Sequence, residues 1–162
     1  QEFQYGRIDV RAKLPEGQGI WPAIWMLGGN FAESGWPSCG EIDIMELIGN
    51  LPSTTHGTAH WGSSFNVHQY TGNSITLSGG EQFSDAFHLF SVEWEANQIS
   101  WLMDDVEFFS INSSQMNGQP YPFNQPFFFI FNIAVGGNWP GYPDASTSFP
   151  QEMTIDCIRV FQ

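Results

Sequence analysis

The sequence predicts an all-β domain, a sandwich or barrel built from many short strands. Apolar residues alternate with polar ones over runs of five to nine residues, the period of a half-buried strand. The 17 Gly and 10 Pro fall between these runs as turn signals, and no stretch keeps a long helical period. With 162 residues the chain is expected to form one domain, 1–162, long enough to bury a sizeable core.

The elements follow in order. From Tyr5 to Leu14, Ile8, Val10, Ala12 and Leu14 share one face and Arg7, Asp9, Arg11 and Lys13 the other, a strand with a polar outer side. Gly19 to Leu27 is a second strand, with Trp21, Ala23, Trp25 and Leu27 on one face. Glu41 to Ile48, Thr54 to Trp61 and Phe87 to Glu95 are the next three. Gln98 to Met103 and Val106 to Ile111 make a hairpin turning at Asp104-Asp105. Pro126 to Val135 is almost continuously apolar and is expected to be central, covered on both faces. Met153 to Phe161 closes the series. Ser84 to Phe87 and Ser113 to Met116 each suit one short helical turn.

Composition excludes several classes. A chain 41% hydrophobic and 16% aromatic, with 15 Phe and 7 Trp, is not disordered. Four Lys and Arg against 17 Asp and Glu give a formal charge of -13, which repels nucleic acid and anionic membrane surfaces. No apolar run approaches the roughly 18 residues that span a bilayer. The first residues do not resemble a signal peptide, so the chain reads as mature or trimmed. Cys39 and Cys157, far apart in sequence, could close one long disulfide but make neither a disulfide scaffold nor a zinc site, and the favoured reading is two buried free thiols.

The chemistry is concentrated in Glu41-Ile42-Asp43-Ile44-Met45-Glu46. On a regular strand Glu41 and Asp43 point one way and Glu46 the other. A single β-bulge near Met45 would return Glu46 to the face of Glu41. Two carboxyl groups about 5–5.5 Å apart are what a retaining glycosidase needs, one as nucleophile and one as acid/base. Taken alone, the hexapeptide suits a solvated edge strand equally well. Trp21 and Trp25 on one strand face, with Trp36 five residues before Glu41, favour a sugar-stacking platform over simple core filling.

The chain resembles family 16 glycoside hydrolases of the laminarinase type. The stretches that carry the resemblance are YGRIDVRAKLPEGQGIWPAIWMLG, WPSCGEIDIMELIG, GTAHWG, FHLFSVEW, AVGGNWPG and MTIDCIRVFQ, in family order from end to end. The ExDxxE motif is the specific one. The resemblance implies a concanavalin-like β-jelly-roll of two antiparallel sheets with a glycan cleft on the concave face. It implies retaining endo-hydrolysis of β-1,3-glucan, with Glu41 as nucleophile, Glu46 as acid/base and Asp43 tuning the pair. Trp25, Trp36, His60, Asn138 and Trp139 fall on cleft positions, and Trp21 joins them as platform. His60 also suits a hydrogen-bonded structural histidine. His88 reads as structural, and His56 and His68 carry no signal.

No cofactor is implied for the chemistry. A structural calcium ion is implied on the convex side, with Asp156 matching one ligand. Family domains begin well before the YGR stretch, so the chain is expected to lack strands that complete both sheets, and to regain them by exchange or association with another chain. A glucan-binding module or an inactive fragment on the same scaffold is the competing reading, against which all three acidic residues stand. The partner is expected to be a β-1,3-glucan, and the location extracellular because such polymers do not enter cells.

Overall fold

The alternating runs become ten strands because each can bury one face only by stacking a sheet on a sheet. In the computed structural model, which describes residues 1–162, these are β1 (Gly6–Lys13), β2 (Ile20–Gly28), β3 (Glu41–Glu46), β4 (Thr54–Trp61) and β5 (Gln69–Thr76), then β6 (His88–Trp94), β7 (Gln98–Met103), β8 (Val106–Asn112), β9 (Phe127–Val135) and β10 (Thr154–Phe161). One antiparallel sheet has the order β10-β1-β6-β7-β8 and the other β5-β4-β3-β2-β9. A one-turn helix, α1 (Phe31–Ser34), and two 3₁₀ turns, Phe65–Val67 and Ser113–Gln115, are the only helical pieces. No helix is long and apolar enough to cross a membrane.

The core lies between the sheets. Ile8, Val10, Phe90, Val92 and Trp101 of one sheet meet Ile24, Met26, Ile42, Ile44, Met45 and Ala59 of the other in a single cluster. The β7–β8 hairpin turns where expected, at Asp104 and Asp105, whose φ angles of 48° and 64° give the left-handed pair that a two-residue hairpin turn requires.

Three expectations need correction, and one strand was not foreseen. The polar side of β1 is not simply solvated: Asp9 is buried, accepting from Arg7 Nε at 2.7 Å and Ser91 Oγ at 2.8 Å. The apolar strand β9 is not central. It pairs only with β2 along its length, and most of it is half-buried at a sheet edge. Cys157 is half-buried rather than buried, although both cysteines are free. Residues 69–76, to which the sequence pattern assigns no element, form the edge strand β5, paired with β4 from Thr54↔Thr76 to Trp61↔Gln69. Beside the outer edges of β9 and β10 runs an apolar groove of about 720 Å³, lined by Phe3, Phe128, Phe129, Ile158 and Val160.

Candidate active site

β3 carries the site because its pairing breaks inside the motif. Against β2, Ile24 opposes Met45 and Trp25 opposes Asp43, so Ile44 has no partner. Against β4, the register shifts between Asp43 and Glu46. This is a β-bulge: one extra residue lets Ile44 and Met45 both point into the core while Glu46 turns back to the face of Glu41 and Asp43. All three carboxylates then line a cleft of about 190 Å³ with Trp21, Ala23, Trp25, Asn132 and Ala134.

Two tryptophans expected as sugar platforms have a second task. Trp36 Nε1 donates to Glu41 Oε2 at 2.9 Å, and Trp21 Nε1 donates to Glu46 Oε1 at 3.1 Å. Each carboxylate is therefore aimed by its own indole N–H. Trp25 Nε1 donates instead to Asn132 Oδ1 at 2.8 Å, keeping its ring against the cleft. Trp139 packs edge-on to Trp21 and to His56, with ring centroids 5.4 and 5.1 Å apart, and extends the cleft wall. Asn138 is not brought in with it; it is exposed and stands on no cavity wall around the carboxylates.

Burial dominates the electrostatics. Taking Glu41 out of water, beside the negative charge of Asp43, pushes its carboxyl up to about 7, although the Trp36 N–H and His60 oppose the shift. The same two causes push Glu46 to about 8. Asp43, between them and fully buried, is raised by desolvation as well. Both glutamates are thus held well above the ordinary carboxylate range, as burial beside a like charge requires. Below, Trp101 Nε1 donates to the Asp43 carbonyl at 2.8 Å, and Thr55 Oγ1 donates to the Glu46 carbonyl at 3.2 Å, tying the bulge to the core.

His60, opposite Glu41 in register, places Nε2 at 3.1 Å from Asp43 Oδ2 and 3.8 Å from Glu41 Oε1. His88 is structural as expected, 2.7 Å from Asp104 in the hairpin of the other sheet. His68, Tyr70, His56 and Asn132 were missed. The i, i+2, i+4 spacing of His56, Thr58 and His60 on β4 was the available signal for His56. The rest depend on which strands pair.

Asp156, the residue matched to a calcium ligand, lies on β10 of the sheet opposite the cleft. It is exposed and accepts from Arg11 Nη1 at 2.9 Å. The one group of three His, Cys, Asp or Glu side chains with ligand atoms within 4.8 Å of one another is Glu41, Asp43 and His60.

Comparison with known proteins agrees with this geometry. The family model described as glycosyl hydrolases family 16 matches residues 1–159. A glucan endo-1,3-beta-glucosidase A1 from Niallia circulans is 40% identical over 168 residues, covering 99% of this chain and 24% of that protein. A beta-glucanase from Rhodothermus marinus is 37% identical, covering 99% of this chain and 58% of its own length. Among solved structures, the catalytic domain of an endo-1,3-beta-glucanase (laminarinase) from Thermotoga petrophila superposes with a TM-score of 0.93 at 48% identity, covering all of this chain and 65% of that one. The chain thus spans less than two thirds of each of these relatives. Matched over nearly its whole length by the family model, and sharing the two-sheet architecture, the chain belongs to glycosyl hydrolase family 16.

Proposed function

We propose that this chain carries the active site of a retaining endo-β-1,3-glucanase. One observation carries the reading: the bulge in β3 puts Glu41 and Glu46 on one cleft face, each held by a separate indole N–H. Glu41 attacks the anomeric carbon while Glu46 gives its proton to the leaving glycosidic oxygen, forming a glycosyl ester. Glu46, now ionised, takes a proton from water as that water attacks the same carbon and frees Glu41. Two inversions leave the configuration retained. Asp43, a buried like charge between them, raises the proton affinity of both glutamates.

A neutral glucan suits the cleft. All four Lys and Arg, namely Arg7, Arg11, Lys13 and Arg159, lie on β1 and β10 of the opposite sheet. Nothing near the carboxylates can pair a sulfate or uronate, whereas indole faces suit pyranose rings. The relatives named above as 1,3-β-glucanases support the linkage. Such a polymer meets the protein outside the cell, so the proposed location is extracellular. The reading includes completion of the sandwich by further strands, supported by the outer edges of β10 and of β9, the latter bridged only by Phe3 at Phe127, and by the apolar groove beside them.

The test is product analysis. Laminarin should release reducing oligosaccharides faster than lichenan, with agar and carrageenan inert, and proton NMR should show the β-anomer first. Capture on insoluble β-1,3-glucan without product would indicate a binding module, and an α-anomer formed first would overturn retention.

A further inference from the structure

His68 lies on the chain between the Phe65–Val67 turn and β5, outside the catalytic motif. Its Nε2 is 2.9 Å from His60 Nδ1. Its ring lies between Trp36, with centroids 4.5 Å apart, and Tyr70, with centroids 5.7 Å apart and planes at 23°. The His60 and His68 rings are within 17° of parallel. This packing fixes the contact, so the two imidazoles form one unit ending at the carboxylates.

Asp43 Oδ2 is buried, has no aligned hydrogen-bond donor, and stands 3.1 Å from His60 Nε2. That separation is within hydrogen-bonding range, and a small rotation of either side chain aligns it, so a proton on one of the two atoms joins them. We propose that His68 is a positioning residue: by donating its Nε2–H to His60 Nδ1, it sets the proton of His60 on Nε2, facing Asp43, and keeps Asp43 a carboxylate. In the opposite arrangement His60 donates to His68, Nε2 is bare, and Asp43 must carry the proton.

Two features of the site favour the first arrangement, and a third makes the choice matter. The negative charge of the nucleophile Glu41 orients the N–H dipoles toward the carboxylate cluster, from His68 through His60 to Asp43. No Lys or Arg on this sheet competes for that field. Burial lowers the pKa of both histidines, so each carries one proton near neutral pH and its placement matters. The groups facing His68 are His60 on β4 and Tyr70 on β5, with Glu41, Asp43 and Glu46 beyond His60.

The consequence rests on the hydrolase reading. An ionised Asp43 holds up the proton affinity of Glu46, so losing His68 lets Asp43 protonate and makes Glu46 a stronger acid. His68→Phe keeps the stacking but has no donor. It should lower kcat about tenfold with KM changed less than about twofold. The alkaline limb of the pH–rate profile should move about half to one unit toward acid. His68→Gln offers an amide N–H and should restore both to near the parent values. Equal impairment of the two variants, or a change in KM alone, would overturn the proposal and leave His68 a stacking residue. The ¹⁵N shifts of His60 in the unsubstituted protein give a readout that needs neither variant nor activity. An Nε2–H tautomer supports the assignment, and an Nδ1–H tautomer refutes it. Absence of laminarin turnover in the parent would count against the hydrolase reading instead.

Discussion

Glu41→Ala should lose turnover on laminarin by a factor on the order of 10⁴ or more, because the variant lacks the carboxylate proposed to form the glycosyl ester. Azide should restore part of it. The small anion enters the space left by the carboxylate and attacks the anomeric carbon directly, while Glu46 still protonates the leaving oxygen; the product is a glycosyl azide of inverted configuration. Glu46→Ala should behave differently. The ester still forms on Glu41, slowly, and azide intercepts it to give a product of retained configuration. NMR of the two azides checks the assignment. The opposite pairing of stereochemistry with variant would exchange the roles of the two glutamates.

The second large effect is on stability. Trp101 is fully buried, packs against Phe109 with centroids 4.9 Å apart, and donates to the Asp43 carbonyl. The fit is close: a Cβ on Gly57 would come within 2.4 Å of Trp101 Cδ1. Trp101→Ala opens a cavity under the bulge and should cost about 3–5 kcal/mol, a large part of the ~5–15 kcal/mol that a domain has. The melting temperature should fall by about 10 °C. Trp101→Phe keeps most of the ring and removes only the donor, so it should cost about 1–3 kcal/mol and also reduce kcat, as the Asp43 backbone loses its anchor. Circular dichroism melts and assays well below the transition separate the two effects. An unchanged kcat in folded Trp101→Phe would show that the carbonyl contact does not position Asp43.

The sequence displayed the bulge unusually well. Three carboxylates separated by core-type residues in the pattern ExDxxE can share a face only if one residue is extra, and the register break at Ile44 is that residue. The strongly alternating strands were equally legible. What could not be read depends on partners. QYTGNSIT, which became β5, lacks an apolar stripe and contains Gly72; its exposed residues pair with β4 through backbone hydrogen bonds that no side-chain pattern announces. The run FFFIFNIAV looked central because apolar density does not say which neighbours a strand has. The indole N–H contacts of Trp21 and Trp36 follow from ring orientation, and His68 reaches His60 only once β4 and β5 lie side by side.

The buried carboxylate cluster also has a thermodynamic consequence, separate from its chemistry. A carboxyl group whose folded-state pKa is raised from its usual value near 4.5 to about 7 or 8, as for Glu41 and Glu46, binds its proton more tightly in the native state than in the unfolded chain. Its contribution to stability is full below about pH 4.5, diminishes as pH rises through the folded value, and is constant above it. The histidines work in the other direction: His56, His60 and His68, with lowered pKa values, favour the folded state above their unfolded pKa and lose that contribution on acidification. Glu46→Gln isolates the carboxylate part. The variant should melt roughly 3–6 °C above the parent at pH 9, where Glu46 is charged, and close to it at pH 4, where both side chains are neutral. Equal melting temperatures at pH 9 would mean that the folded protein holds a charged Glu46 without penalty. The expected gap describes a protein whose most reactive strand is held in its sheet against its own charge, so that resistance to heat and the proposed chemistry pull the same two glutamates in opposite directions.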